Sequence, residues 1–369
     1  MNPVGKYLPA ALGIMLCLSG CRNPNNLALT LHSSTENLTF VTETGSTQGI
    51  PSPSVPGSIE PILPPTEENT PSETKPLPTE ETPVDLAFVG DIMLGRSLAQ
   101  RIADGKGDAI FNSVNTVLQS ADIAVGNLEC AIGEGGTKAK KGYAFLAPTL
   151  SASILGHAGF DLLSLANNHS FDYGPEVFRQ TQQLLTDNGM KIVGAGVDDS
   201  QAYSAIVYDI HGMRLAFLSY ADVPVERGGF DAKTWTAGES TPGIAWADNE
   251  RIISNLQVWR SRADFLVVLF HFGIEGSVTP SDRQVELAHL AVDNGADLVV
   301  GSHPHLMQKD ETYKGRLIFY SMGDFVFDGF IGSYNHSAIL QVTVSRKNPV
   351  KYLLIPVFLV DGIPFLGQQ

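Results

Sequence analysis

The chain has 369 residues, 43% of them hydrophobic, with a formal charge of −15. That supplies material for one large folded domain or two modest ones plus some non-globular sequence. The acidic balance, with a pI near 4.9, argues against nucleic acid and against nonspecific attraction to anionic lipid.

Taken in chain order, the first predicted element is a leader. A single Lys6 precedes the apolar stretch "YLPAALGIMLCL", too short to span a bilayer, and "LSGC" closes it at Cys21. The small pair Ser19 and Gly20 directly before the cysteine resembles a bacterial lipobox. On that reading residues 1–21 are a lipoprotein signal, Cys21 is lipidated, and the mature chain is tethered to a membrane outside the cytoplasm. A plain secretory signal is the alternative. On the lipobox reading Cys17 leaves with the leader and Cys21 is the anchor, so Cys130 has no intramolecular disulfide partner.

Residues 22–83 are rich in Pro, Ser, Thr, Asn and Glu, without helical or strand periodicity, and are expected to be a disordered spacer. Eight glutamates there, Glu36, Glu43, Glu60, Glu67, Glu68, Glu73, Glu80 and Glu81, face only Arg22 and Lys75, so part of the negative charge is linker. A folded domain is expected over 84–369.

Within it, near-continuous apolar runs at 84–90, 121–127, 161–167, 191–196, 215–221, 264–272, 296–302, 317–323 and 337–344 predict strands covered on both faces. Helices are expected between them. "GPEVFRQTQQLLTDNG" has Pro175 in its first turn and Gly189 past its last, and "TPSDRQVELAHLAVDNG" offers Ser281 with Gln284 as a capping box and Gly295 as terminator. This is α/β layering on mixed sheets. Asp122, Asp161, Asp264 and Asp297 each open a run, where turn and cap chemistry is the expected role.

The opposite ends of five runs carry a different set: Asp91, then Asn127 and Glu129, then Asn167, Asn168 and His169, then His271, then His303 and His305. Parallel strands direct these ends toward one edge, where ligands bind. Singly, each is a weak signal, since a lone histidine after a strand is usually a satisfied turn or core residue. Fivefold recurrence of carboxylate, amide and imidazole without thiolate points instead to one or two divalent cations such as Mn, Fe or Zn. Glu129 is the candidate bridging carboxylate for two ions about 3.5 to 4 Å apart.

The ordered motifs "GDIMLGR", "GNLECAI", "LANNHSFDYG", "GAGVDD", "HFGIE", "GSHPHLMQ" and "YSMGDFVFD" resemble the capsule-synthesis protein CapA family, linked to poly-γ-glutamate, within the calcineurin-like metallophosphoesterase superfamily. The resemblance runs from about Val84 to Asp328 and implies a metallophosphoesterase-type sandwich of mixed β-sheets flanked by helices. It implies Asp91, Glu129 and His305 at one metal position, and Glu129, Asn168, His271 and His303 at the second. His169 matches the histidine that can protonate a leaving group. Two positions depart from the superfamily pattern. Met93 stands where a histidine ligand is usual, a soft thioether for a hard ion, and Ser170 stands where an acid follows the Asn-His pair, leaving Asp172 to orient His169.

The loop 133–143 carries Lys138, Lys140 and Lys141, either a solvated loop or an anion-binding lip that would, with Asn127 and Asn167, meet a substrate. Residues 222–246 are long for a connection and read as a lid or a packed surface loop. His157, His211, His289 and His336 are expected to be structural, and His32 lies in the spacer.

Three functions follow as expectations. The first is synthesis or export of an anionic capsular polymer at the cell envelope, alongside capsule-synthesis membrane proteins. The second is an extracytoplasmic, metal-dependent phosphoesterase, and the third a noncatalytic envelope-binding module.

Overall fold

The computed structural model describes residues 82–330, 332–348 and 350–367. The expected leader, Cys21 and all but the last two residues of the spacer lie outside them. Among the described residues, fourteen strands form two mixed sheets. The first sheet contains β1 (Val84–Ile92), β2 (Ile123–Leu128), β3 (Leu162–Ser164) and β4 (Lys191–Val193). The second contains β5 (Ile206–Ile210), β6 (Met213–Asp222), β7 (Phe265–Phe272), β8 (Leu298–Ser302), β9 (Asp310–Tyr313) and β10 (Arg316–Phe319). The chain then returns to the first sheet as β11 (Asp324–Val326), β12 (His336–Val344), β13 (Lys351–Val360) and β14 (Ile363–Leu366).

The first sheet runs β14-β13-β12-β1-β2-β3-β4, with β11 also paired to β1, and the second runs β9-β10-β8-β7-β6-β5. β1 through β4 are mutually parallel, as are β6, β7, β8 and β10, while β12 to β14, β5 and β9 are antiparallel to their neighbours.

Strand periodicity explains why the two sheets stack. Leu86 and Phe88 of β1 join Val267 and Leu269 of β7 in one buried cluster between the sheets. The alternate residues Ala87 and Val89 face a second cluster on the outer side of the first sheet, and Leu266, Val268 and Phe270 face a third on the outer side of the second sheet. The central strands of each sheet are therefore buried on both faces, as the unbroken apolar runs required, whereas outer strands such as β9 and β13 are partly exposed.

Helices α1 (Ser151–Ala158) and α2 (Gly174–Asp187) contribute Leu155 and Phe178 to the outer cluster of the first sheet. Helices α3 (Asn249–Arg260) and α4 (Asp282–Asp293) contribute Leu256 and Leu287 to that of the second. The fold is thus the mixed α/β sandwich flanked by helices that the resemblance implied. α2 begins with proline in its first turn, and α4 carries the Ser281–Gln284 capping box.

The four aspartates at strand starts have one shared role. Asp122 accepts from Asp85 N at 2.8 Å, Asp161 from Ala124 N at 2.8 Å, Asp264 from Arg214 N at 2.7 Å and Asp297 from Leu266 N at 2.9 Å. Each carboxylate ties the entry of its strand to a backbone N–H of the parallel neighbour, which pins register at the end remote from the site.

Candidate functional site

The C-terminal ends of β1, β2 and β3 in one sheet, and of β7 and β8 in the other, meet at one edge of the sandwich. The sequence reading pictured these ends along a sheet edge, whereas two face-to-face sheets deliver them here from both sides. Asp91, Asn127, Glu129, Asn167, Asn168, His169, His271, His303 and His305 are all buried.

Asn127 joins the two halves. Its Nδ2 donates to Asp91 Oδ1 at 2.8 Å and lies 3.1 Å from His271 Nδ1, which is also 2.9 Å from Ser302 Oγ. These contacts fix the ring so that His271 Nε2 faces Asn168 Oδ1 at 2.9 Å and His303 Nδ1 at 3.1 Å. Asn167 is committed to the scaffold, donating to Leu128 O at 2.8 Å and to Asn127 Oδ1 at 3.1 Å.

His303 and His305 flank Pro304 with φ of 97° and 59°. Left-handed backbone at two non-glycine residues costs on the order of 1–3 kcal/mol each, strain that clusters at functional sites. The turn sends His303 toward His271, while His305 Nδ1 takes Asp324 Oδ1 at 2.8 Å and lies 3.6 Å from Asp91 Oδ2.

Glu129 sits at the centre. His169 Nε2, His305 Nε2 and His271 Nε2 lie 3.7, 3.8 and 3.9 Å from its Oε1. Both of its oxygens are buried without a hydrogen-bond partner among the described residues. An unpaired buried carboxylate costs several kcal/mol, so these oxygens are available as donors to a bound group. Three groups of potential ligand atoms, each within 4.8 Å, recur here: Glu129 with His271 and His303, Glu275 with His303 and His305, and Asp91 with His305 and Asp324.

The protonation tendencies follow from burial. Desolvation pushes Glu129 well above the usual carboxylate range, with Asp91 and Asp324 adding repulsion, and it also raises Asp91. Burial holds His271 and His303 well below the ordinary imidazole value. Burial acts the same way on His305, but the charge and hydrogen bond of Asp324, with the charges of Asp91 and Glu275, together outweigh it and lift this imidazole to about 9.

His169 forms a separate unit. Its Nδ1 is 2.6 Å from Asp172 Oδ2, which also accepts from Phe145 N at 2.7 Å, and the Phe145 ring stacks on the imidazole at 4.3 Å. Burial lowers its pKa despite the Asp172 charge, so the neutral ring donates Nδ1–H to Asp172 and presents Nε2 to the site as an acceptor. Lys141 reaches the same corner, with Nζ donating to Asn168 O at 2.5 Å, whereas Lys138 and Lys140 are exposed on their loop.

Sequence reasoning missed Asp324, Glu226, Glu275 and Ser302. Asp324 carried a signal, since "MGD" at its start repeats the "VGD" that delivers Asp91, and β11 pairs with β1 so that Asp91 and Asp324 are register partners. Glu226 had none: it lies in the long 222–246 segment and accepts from Asn168 Nδ2 at 3.1 Å. That segment is partly packed, with Phe230 and Trp235 against the core.

A family model described as "Bacterial capsule synthesis protein PGA_cap" matches residues 85–329. "PGA biosynthesis protein CapA" of Bacillus subtilis (strain 168) is 33% identical over 282 residues, 75% of this chain and 72% of its own. "Capsule biosynthesis protein CapA" of Bacillus anthracis is 30% identical over 293 residues, 77% of this chain and 70% of its own. Among solved structures, a hypothetical protein from Thermus thermophilus aligns with a TM-score of 0.47 at 16% identity, over 74% of this chain and 99% of its own.

Proposed function

This chain belongs to the bacterial capsule synthesis PGA_cap family, and from that premise we propose that it serves the synthesis or export of an anionic capsular polymer of the poly-γ-glutamate kind. Its site would hold one or two divalent cations, of which Mn, Fe or Zn suit a set of carboxylate, amide and imidazole donors. The lipobox-like "LSGC" and the spacer support an extracytoplasmic, membrane-tethered location.

The observation that carries the metal reading is Glu129, wholly buried with both oxygens unpartnered and three imidazole Nε2 atoms within 3.9 Å of Oε1. Asp91 and His305 on one side, and Asn168, His271 and His303 on the other, would complete the two positions. A cation bound there supplies Lewis-acid polarisation of carboxylate or phosphoryl oxygens. The protein's own part is positional: Asn127 and Ser302 fix the His271 ring, and Asp172 fixes His169 with Nε2 facing the site.

The His169–Asp172 pair favours a second reading, hydrolysis of a phosphoester, because an imidazole so oriented can move a proton at a reacting oxygen. The test is to purify the full-length protein, quantify bound divalent metal, and assay phosphomonoesters, phosphodiesters and retention of poly-γ-glutamate. Metal-dependent polymer binding lost in His303→Ala supports the capsule role. Metal-dependent turnover lost in both His303→Ala and His169→Ala supports the hydrolase. A folded protein that takes up no metal would leave a noncatalytic envelope module.

A further inference from the structure

We propose that Asp324 supplies a carboxylate ligand at the Asp91 side of the site, in place of the donor that Met93 does not offer, and that this position therefore takes a harder cation than its neighbour. The inference rests on the metal reading above and concerns which residues of this chain complete it.

Met93 is turned away. Its side chain is fully buried in the core, and Sδ accepts the Gly95 N–H at 3.0 Å. Asp324 reaches the Asp91 side of the site from a different strand. β11 lies parallel to β1 with Asp91 and Asp324 as partners, and Asp91 N donates to Gly323 O at 3.0 Å, which locks the two carboxylates side by side. Potential ligand atoms of Asp91, His305 and Asp324 lie within 4.8 Å of one another.

Asp324 could instead act only by orienting His305, since its Oδ1 takes that imidazole at 2.8 Å. That role uses one oxygen. The other, Oδ2, is buried with no hydrogen-bond partner, as are both oxygens of Glu129. Three buried carboxylates thus converge where the imidazole of His305 is the nearest ion-pair partner of Asp324 and Asp91. Like charges so placed repel strongly, and a divalent cation can balance them by displacing the protons that would otherwise do so. Exchanging an imidazole ligand for a carboxylate hardens the position, which raises its affinity for Mn²⁺ relative to Zn²⁺ above that of the histidine-rich position around His271 and His303.

The test uses the metal-stripped full-length protein titrated separately with Mn²⁺ and Zn²⁺, with stoichiometry read by elemental analysis and Mn²⁺ occupancy by electron paramagnetic resonance. Asp324→Asn keeps an oxygen able to accept from His305 but removes the charge. The expected result is at least a tenfold loss of Mn²⁺ affinity at one position, with Zn²⁺ at the other within threefold of the parent protein. Unchanged Mn²⁺ binding in Asp324→Asn would reduce Asp324 to an orienting role and overturn the inference. Absence of cation uptake by the parent protein would instead overturn the metal reading itself. Should Asp324→Asn fail to fold, anomalous scattering from Mn²⁺-soaked crystals of the unaltered protein decides. An ion within about 2.6 Å of Asp324 Oδ2 supports the assignment, and an ion that only His305 and Asp91 contact overturns it.

Discussion

Lys141 Nζ lies 2.7 Å from Glu226 Oε1 and 3.2 Å from Asp172 Oδ1, and the lysine side chain has no exposed surface. The rings of Phe230 and Trp235 lie 4.9 and 5.3 Å from the ammonium, so it is held among carboxylates and aromatic faces rather than offered to solvent. Removing one member of a buried charge pair leaves its partners uncompensated, which costs about 3–5 kcal/mol. Lys141→Met is therefore expected to lower stability by that amount in urea titration, while Lys138→Met and Lys140→Met leave the midpoint where it was. Equal midpoints for all three variants would show that the Lys141 pairing contributes nothing.

That contrast marks where the sequence was legible. All nine apolar runs overlap strands, because burial on both faces writes itself into composition. Strands β5, β9, β11, β13 and β14 were not anticipated: β5 and β9 are half-exposed, as the alternating exposure of Asp310 to Tyr313 shows, β11 has three residues, and the apolar stretches of β13 and β14 are interrupted by Pro356 and Pro364. Motif order brought out the residues that strand ends deliver, such as Asp91 and His271. It could not separate Lys141 from Lys138 and Lys140, because only tertiary packing against Phe230 and Trp235 distinguishes them. Glu226 was invisible for the same reason.

Glu129→Gln separates stability from binding. The amide removes a buried charge that desolvation and two neighbouring carboxylates oppose, so the metal-free variant is expected to melt at or above the parent temperature. Cation affinity is expected to fall by about a hundredfold or more, as the central ligand loses its charge. Thermal melts with and without Mn²⁺ read both effects. A variant that melts lower without metal and binds cation normally contradicts the role given to Glu129.

The metal-free protein is expected to lose stability as pH rises from about 6.5 to 9. Burial lifts Asp324 to about 7, and His305 stands at about 9 because Asp324, with Asp91 and Glu275, together outweigh desolvation. Both groups keep protons in the folded chain that the unfolded chain, with ordinary values near 3.9 and 6.5, has released. The stabilisation from charged His305 is whole below about 6.5 and is lost through 9, and the penalty on Asp324 grows up to about 7. His271 and His303, held low by burial, act in the opposite sense but only while the unfolded imidazoles still titrate, below roughly 6.5. With saturating Mn²⁺ the cation replaces those protons, so affinity should rise with pH and the downward slope should flatten. Melting temperatures across this range in chelator and in Mn²⁺ give the comparison, and an upward slope in chelator would refute the assignment.

The placement of Asp91 depends on a backbone contact that tolerates no side chain. A Cβ added at Gly90 would fall 1.8 Å from Gly323 O and 2.8 Å from Gly323 C, backbone atoms of the segment leading into β11. Flexible side chains could swing away from such a clash, but paired backbone cannot, so β1 and β11 would have to part. Overpacking of this kind typically costs about 1–3 kcal/mol, and the upper end is expected where paired backbone must move. Because Asp91 and Asp324 are partners across that contact, Gly90→Ala should also weaken Mn²⁺ binding wherever the variant still folds. Gly142→Ala is the matched control, since a Cβ there meets nothing within 4 Å. Urea midpoints and Mn²⁺ titrations of the two variants check this together. If Gly90→Ala matched Gly142→Ala in both, the pairing of β1 with β11 would not be what brings the two carboxylates to one ion.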